Sequence, residues 1–211
     1  METPVSDPAP LEAGFTDAIR ESQAIFRRIL DAMARPGTCR TLRQTPSTTT
    51  TLNAATTAIA LTLFDESTPV WLDEAADTAN VQSFLSFHCG CPFVSDPAAA
   101  LFAIVAGSLP PLERFNTGSD EFPENSTTVI AQVKAVEPGD DIALAGPGIE
   151  TVAAIKDPGL PGDFWRQWEE MAALYPCGID LVLTAANRLA CLPRTVRRVE
   201  SNRPGAEEGA T

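Results

Sequence analysis

The sequence predicts an α/β layered domain built on a central mixed sheet. Three observations carry this: amphipathic or apolar helical patterns in the first half and again near residue 165, short β-rich apolar runs between them, and a punctuated apolar hairpin at 179–192. The hairpin is the sharpest. Pro176 and Gly178 end a helical pattern, Ile179 to Thr184 is rich in β-formers, and Ala185 to Arg188 is a short link containing Asn187. Its first arm is apolar at nearly every position, as in a strand covered on both faces, so Asp180 within it needs a partner. If Thr184 pairs with Leu189, Asp180 falls opposite Pro193 and beside Arg194, within reach of a charge-assisted contact.

The remaining elements follow in order. Residues 1–14 are Pro- and acid-containing and are expected to be disordered. A helix begins near Thr16 or Asp17; Phe26, Ile29, Leu30 and Met33 gather on one face, Arg27, Asp31 and Arg35 repeat on another, and Pro36-Gly37 stops it. The arginine stripe reads as a solvated face or as an interface. Thr38 to Leu42 fits a strand, and Leu52 to Phe64 a helix buried on most sides. Pro69 to Leu72 has the form of a buried strand, Asp77 or Thr78 can cap a helix reaching Phe87, and 92–94 and 100–105 are strand-like. Residues 107–125 read as loop. Thr127 to Val136 and Ile142 to Leu144 are expected to pair as a second hairpin through the turn Glu137-Pro138-Gly139-Asp140. Gly146-Pro147-Gly148 lacks the Gly, Lys and Ser/Thr of a phosphate loop and reads as a tight turn. Pro161 opens an amphipathic helix with Phe164, Trp165, Trp168 and Leu174. Residues 15–199 make one domain, and the tail 200–211 is expected to be disordered.

Composition narrows the function. With 211 residues, 44% hydrophobic and 20% charged, the chain can bury one sizeable core. A net charge of −13 argues against a nucleic-acid binder. No apolar run approaches the roughly 20 residues that cross a bilayer, and the start lacks a leader pattern, so a cytoplasmic protein is expected. The five cysteines, Cys39, Cys89, Cys91, Cys177 and Cys191, suit reduced thiols. Residues 44–187 carry a balance of −15, whereas 188–198 hold Arg188, Arg194, Arg197 and Arg198 without an acid. That reversal reads as hairpin-end arginines on an otherwise acidic surface, or as a basic patch for an acidic partner or anionic ligand.

Chemistry-bearing clusters are scarce. His88-Cys89-Gly90-Cys91 offers three soft ligands in four residues, but the thiolates are too close for a usual zinc knuckle and no second His exists. A helix C-terminal role for His88 is the plainer expectation. Lys134 and Lys156 are the two lysines, and neither sits in a recognisable Schiff-base context. No catalytic, cofactor-binding or metal-binding residue is assigned. The candidate structural or interface residues are Arg27, Arg28, Arg35, His88, Asp180, Arg194 and Arg197.

Five motifs follow one another in order: Phe26-Arg27-Arg28-Ile29-Leu30 with Ala32-Met33 and Pro36-Gly37; Thr68-Pro69-Val70-Trp71-Leu72; Phe87-His88 with Pro92; Gly146-Pro147-Gly148-Ile149; and Pro176, Gly178-Ile179-Asp180-Leu181, Leu183-Thr184 with Pro193-Arg194-Thr195. In that order they resemble the PhnH family, the H subunit of the bacterial carbon-phosphorus lyase core complex. Cys89 and Cys91 lie outside the family's pattern. The resemblance implies a fold like the large domain of pyridoxal-phosphate transferases without the cofactor. It also implies a subunit of a transferase complex with little or no activity alone, partnered by the G, I and J subunits and forming a homodimer. That complex makes ribose 1-phosphonate 5-triphosphate from MgATP and an alkylphosphonate, releasing adenine, during phosphonate catabolism. An independent enzyme on a degenerate transferase fold and a thiolate metal-binding protein are the alternatives.

Overall fold

A computed structural model describes residues 13–43, 45–46 and 51–200. The two expectations of terminal disorder fall almost wholly on residues outside that range. Helix α1 (Ala18–Ala34) starts where Asp17 accepts a hydrogen bond from Arg20 N at 3.1 Å, and Glu21 accepts one from Asp17 N at 3.0 Å. Strand β1 (Arg40–Thr41) follows, then α2 (Ala54–Leu63), capped by the Asn53 side chain, β2 (Val70–Leu72), and α3 (Ala79–Cys89), capped by Thr78. Next come β3 (Phe102–Val105), β4 (Thr128–Gln132), β5 (Pro138–Ala145), β6 (Ala153–Ile155), α4 (Phe164–Ala172), β7 (Asp180–Ala185), β8 (Arg188–Leu192) and β9 (Arg197–Val199).

The central sheet is mixed and six-stranded, in the order β1-β8-β7-β4-β3-β2. Strands β2, β3, β4 and β7 run parallel, while β8 returns antiparallel on β7 and β1 on β8. Strict alternation feeds two cores, because successive side chains of a strand leave on opposite faces. Ile104, Ile130 and Val182 meet α1, α2 and α3; Val105, Val129, Ala131, Leu181 and Leu183 meet α4 and the second sheet. That second sheet is three-stranded and antiparallel, ordered β6-β5-β9.

The hairpin register is as expected, with Thr184 opposite Leu189. Its two-residue turn puts Ala186, and not Asn187, at positive φ, 51°. Asn187 instead ties the turn to Leu42, through its carbonyl at 2.8 Å and its Nδ2 at 3.0 Å.

Two expectations are corrected. The second hairpin does not form: β4 has both edges occupied by the parallel strands β3 and β7, and β5 begins inside the expected turn at Pro138 to pair with β6 and β9 in the other layer. On α1 the buried positions are Ile25, Ile29 and Ala32, whereas Phe26 and Leu30 are 43% and 51% exposed. The sequence carries apolar residues on two neighbouring stripes of this helix, and only the first meets the small Ala/Thr surface of α2. In α4, Phe164 and Trp168 are buried as expected, but Leu174, just past the helix, is 49% exposed.

Candidate functional site

The strongest polar constellation is at the amino end of β7. Gly178, at φ 133° and 3.4 Å from Arg194 Cβ by its missing side chain, lets the chain turn into the strand directly beneath Arg194. Asp180 Oδ1 accepts from the Arg194 backbone N at 2.9 Å and from Nε at 3.3 Å, and Oδ2 accepts from Nη2 at 2.6 Å. The same guanidinium donates to the Pro123 carbonyl at 2.9 Å, the Pro176 carbonyl at 3.3 Å and Ser126 Oγ at 2.6 Å. The side chains are 15% exposed for Arg194 and 23% for Asp180. With nearly every donor committed, this cation ties the hairpin end to the loops before β4 and β7 and has little left for a ligand.

The other sequence-predicted residues are scattered. Arg35 pairs with Asp31 at 2.5 Å, and Arg40 reaches the other oxygen of the same carboxylate at 2.5 Å. Arg27 and Arg28 are exposed, and among the described residues neither has an acidic partner; Arg28 lines a groove of 240 Å³ with Ala24, Ile25, Leu42 and Arg43. His88 occupies the last turn of α3, but the helix is closed by Gly90 in the left-handed conformation, φ 68°. The imidazole packs between Phe84 and Phe87, at ring distances of 4.5 and 5.0 Å, and against Gly14, where a Cβ would lie 3.0 Å from the ring.

Nor do the four late arginines form one patch. Strand alternation and the hairpin disperse them: Arg194 turns inward, Arg198 lies 5.7 Å over the Trp165 ring, Arg188 sits at the far end of β8, and Arg197 lines a 430 Å³ surface pocket with Tyr175, Thr195 and Val199. The thiols are similarly separate. Burial, with a smaller contribution from Cys91, pushes the Cys89 thiol up to about 12, and burial also raises Cys191 and Cys91. Cys89 Sγ points at the Ala60 carbonyl, 3.7 Å away. Among the described residues no group of three or more His, Cys, Asp or Glu could hold a metal ion.

Sequence reasoning passed over the opposite end of the sheet. Open α/β sheets bind ligands in the crevice beyond the carboxyl ends of their parallel strands. Here a 690 Å³ cleft lies there, lined by Trp71, Asp73, Glu74, Gly107, Ser108 and Arg114 among others. Asp73 is buried and accepts backbone N–H groups from Ala76 at 2.8 Å, Ala106 at 3.1 Å and Gly107 at 2.8 Å, stitching the ends of β2 and β3 together. Arg114 stands 5.8 Å over the Trp71 ring. The sequence carries only a partial signal, an acid directly after the apolar strand Val70–Leu72, because its partner Gly107 lies 34 residues further on. None of the seven sequence-predicted residues lies in this cleft.

Fold and site together define an open α/β protein whose most elaborate polar network is spent on joining its own loops. The chain matches the family described as "Bacterial phosphonate metabolism protein (PhnH)" over residues 13–199. It belongs to that family. It is 37% identical over 185 residues to the "Alpha-D-ribose 1-methylphosphonate 5-triphosphate synthase subunit PhnH" of Rhizobium meliloti (strain 1021), covering 87% of this chain and 92% of that protein. A second relative, the "Putative C-P lyase subunit protein HtxG" of Stutzerimonas stutzeri, is 37% identical over 78 residues, 37% of this chain and 40% of that one. Among the described residues no helix is long and apolar enough to cross a membrane.

Proposed function

We propose that this chain is the H subunit of a carbon-phosphorus lyase core complex. It supports formation of a ribose 1-phosphonate 5-triphosphate from MgATP and an alkylphosphonate, with release of adenine, in the cytoplasmic breakdown of phosphonates. The observation that carries the proposal is the near full-length likeness to a synthase subunit, 87% of one chain against 92% of the other. Its partners in this reading are the G, I and J subunits and a second copy of itself, and the chain is a single α/β domain over 15–199, akin to the large domain of pyridoxal-phosphate transferases.

The chain's part is structural, not chemical. In support, Arg194 and Asp180 are engaged with each other and with three loop acceptors, Lys156 pairs with Glu137 at 3.0 Å, and the aliphatic stem of Lys134 lies over Gly159. Meanwhile Ile19, Phe26, Leu30 and Phe87 stay exposed, which the chain's own folding does not require. Co-expression with the G, I and J subunits should give a complex that survives purification and makes the triphosphate product, while the chain alone turns over neither MgATP nor phosphonate. Failure to co-purify, or turnover by the chain alone, would overturn the assignment.

A further inference from the structure

Helix α1 carries a second apolar stripe that its own fold leaves uncovered. At roughly 100° per residue, Ile19, Phe26 and Leu30 fall within about 20° of one line along the helix. They are 81%, 43% and 51% exposed and span about 16 Å of axis, at 1.5 Å per residue. Half-buried Met33 extends the line by one turn. Between Ile19 and Phe26 the line is flanked by exposed Gln23 and by Ser22, whose hydroxyl is turned back onto the Ala18 carbonyl at 2.5 Å. A spacing of seven and then four is the heptad-like spacing of a helix that packs along a second helix.

The neighbourhood adds to it. Gly14 lies against the His88 ring, which brings the end of α3, with Phe87 68% exposed, to the start of α1. One flank of the stripe is cationic: Arg20 and Arg27 project beside it, Arg20 with 88% of its side chain exposed and only a 3.5 Å contact to Asp17, Arg27 with no acidic partner among the described residues. Exposed cations with so little acidic pairing stand out in a chain of net charge −13.

We propose that this face of α1 docks an amphipathic helix of another subunit, one with an acidic flank opposite Arg20 and Arg27. The inference rests on the subunit assignment above and names the contact. An antiparallel two-fold pairing with a second copy would set the Arg20 and Arg27 flank of one helix against the same flank of the other, and that like-charge contact disfavours self-pairing through the stripe. Exposed apolar anchors beside complementary charge are what a specific interface concentrates its energy on.

The test uses the full chain, titrated against a purified assembly of the G, I and J subunits. Ile19→Lys, the pair Phe26→Ser with Leu30→Ser, and Arg27→Glu should each weaken binding about tenfold or more. Arg27→Glu should also flatten the salt dependence, whereas Arg35→Ala, paired internally to Asp31, should not change it. Ile19→Lys guards against a folding artefact, because that side chain is almost wholly in solvent. If the unaltered chain binds and these variants bind within twofold of it, the α1 contact is wrong while the subunit assignment stands. If the unaltered chain does not bind, both fail. Loss of the chain's own dimer on Ile19→Lys would give the stripe to self-association, and loss of co-sedimentation with phosphatidylserine vesicles would give it to a lipid surface; either overturns the proposal.

Discussion

Replacing Asp180 by Ala removes the counter-ion of a guanidinium that is only 15% exposed. Three contacts disappear at once: the backbone N of Arg194 at 2.9 Å, Nε at 3.3 Å and Nη2 at 2.6 Å. Hydrogen bonds to charged groups each contribute about 1.5–3 kcal/mol net, and breaking a buried ion pair costs about 3–5 kcal/mol. Water reaches part of this pair, and Arg194 keeps Pro123, Pro176 and Ser126 as acceptors, so the expected loss is at the low end, about 3 kcal/mol. Urea denaturation followed by far-UV circular dichroism measures it. Arg194→Met, which keeps most of the apolar stem, should cost a similar amount, and the double variant should cost far less than their sum. A loss under about 0.5 kcal/mol for Asp180→Ala, or additivity in the cycle, would refute the idea that the pair acts as one clamp.

Gly148→Ala should destabilise by about 3 kcal/mol or more, because the residue holds φ 82° and an added Cβ would sit 2.1 Å from the Ala34 carbonyl at the end of α1. Gly162→Ala, with no atom within 4 Å of the added carbon and no positive φ, should stay within about 0.5 kcal/mol, and equal effects in the same urea assay would refute the packing argument. The Asp65 carboxyl is held below its usual range by the Ser67 and Thr68 hydroxyls and the Ser67 N–H, at 2.7, 2.8 and 2.9 Å. Its stabilising contribution is therefore complete above the unfolded carboxyl value of about 3.9 and fades as pH falls through the lower folded value. The stability gap between the wild-type chain and Asp65→Ala should close in acid, and a gap independent of pH would contradict it.

What could be read from the sequence was local. Asp180 and Arg194 are 14 residues apart across one hairpin, so a register guessed from Thr184 and Leu189 was enough to bring them together. The caps of α1, α2 and α3 lie within three residues of the N–H groups they accept from. Where the competing options were tertiary, the pattern was silent. Ile25 and Phe26 are equally apolar, and only the presence of α2 on one side decides which is buried. The β4 and β5 segments are strands as expected, but their pairing depended on β3 and β7 claiming both edges of β4. Strand β9, three residues with two arginines, has no apolar alternation to betray it and is specified by β5. The Asp73 junction joins residues 34 apart in the chain, Asp73 and Gly107, which no short motif encodes.

The two ends of the parallel strands consequently carry separable duties. At the amino end the charge is neutralised internally, and loops that share no residue with the cleft depend on it. At the carboxyl end Asp73 spends its acceptors on backbone N–H groups, leaving Trp71, Glu74, Ser108 and Arg114 to face the open cleft. The stripe on α1 belongs to neither end, since α1 packs across α2 and β8 on one face of the sheet. A substitution on that stripe removes atoms that largely face solvent in the isolated chain, so it opens little cavity in the core that joins α1 to the clamp and the cleft. Loss of assembly without loss of thermal stability is the signature that this geometry requires of Ile19, Phe26 and Leu30, whereas a change at Asp180 must show itself first as a loss of stability.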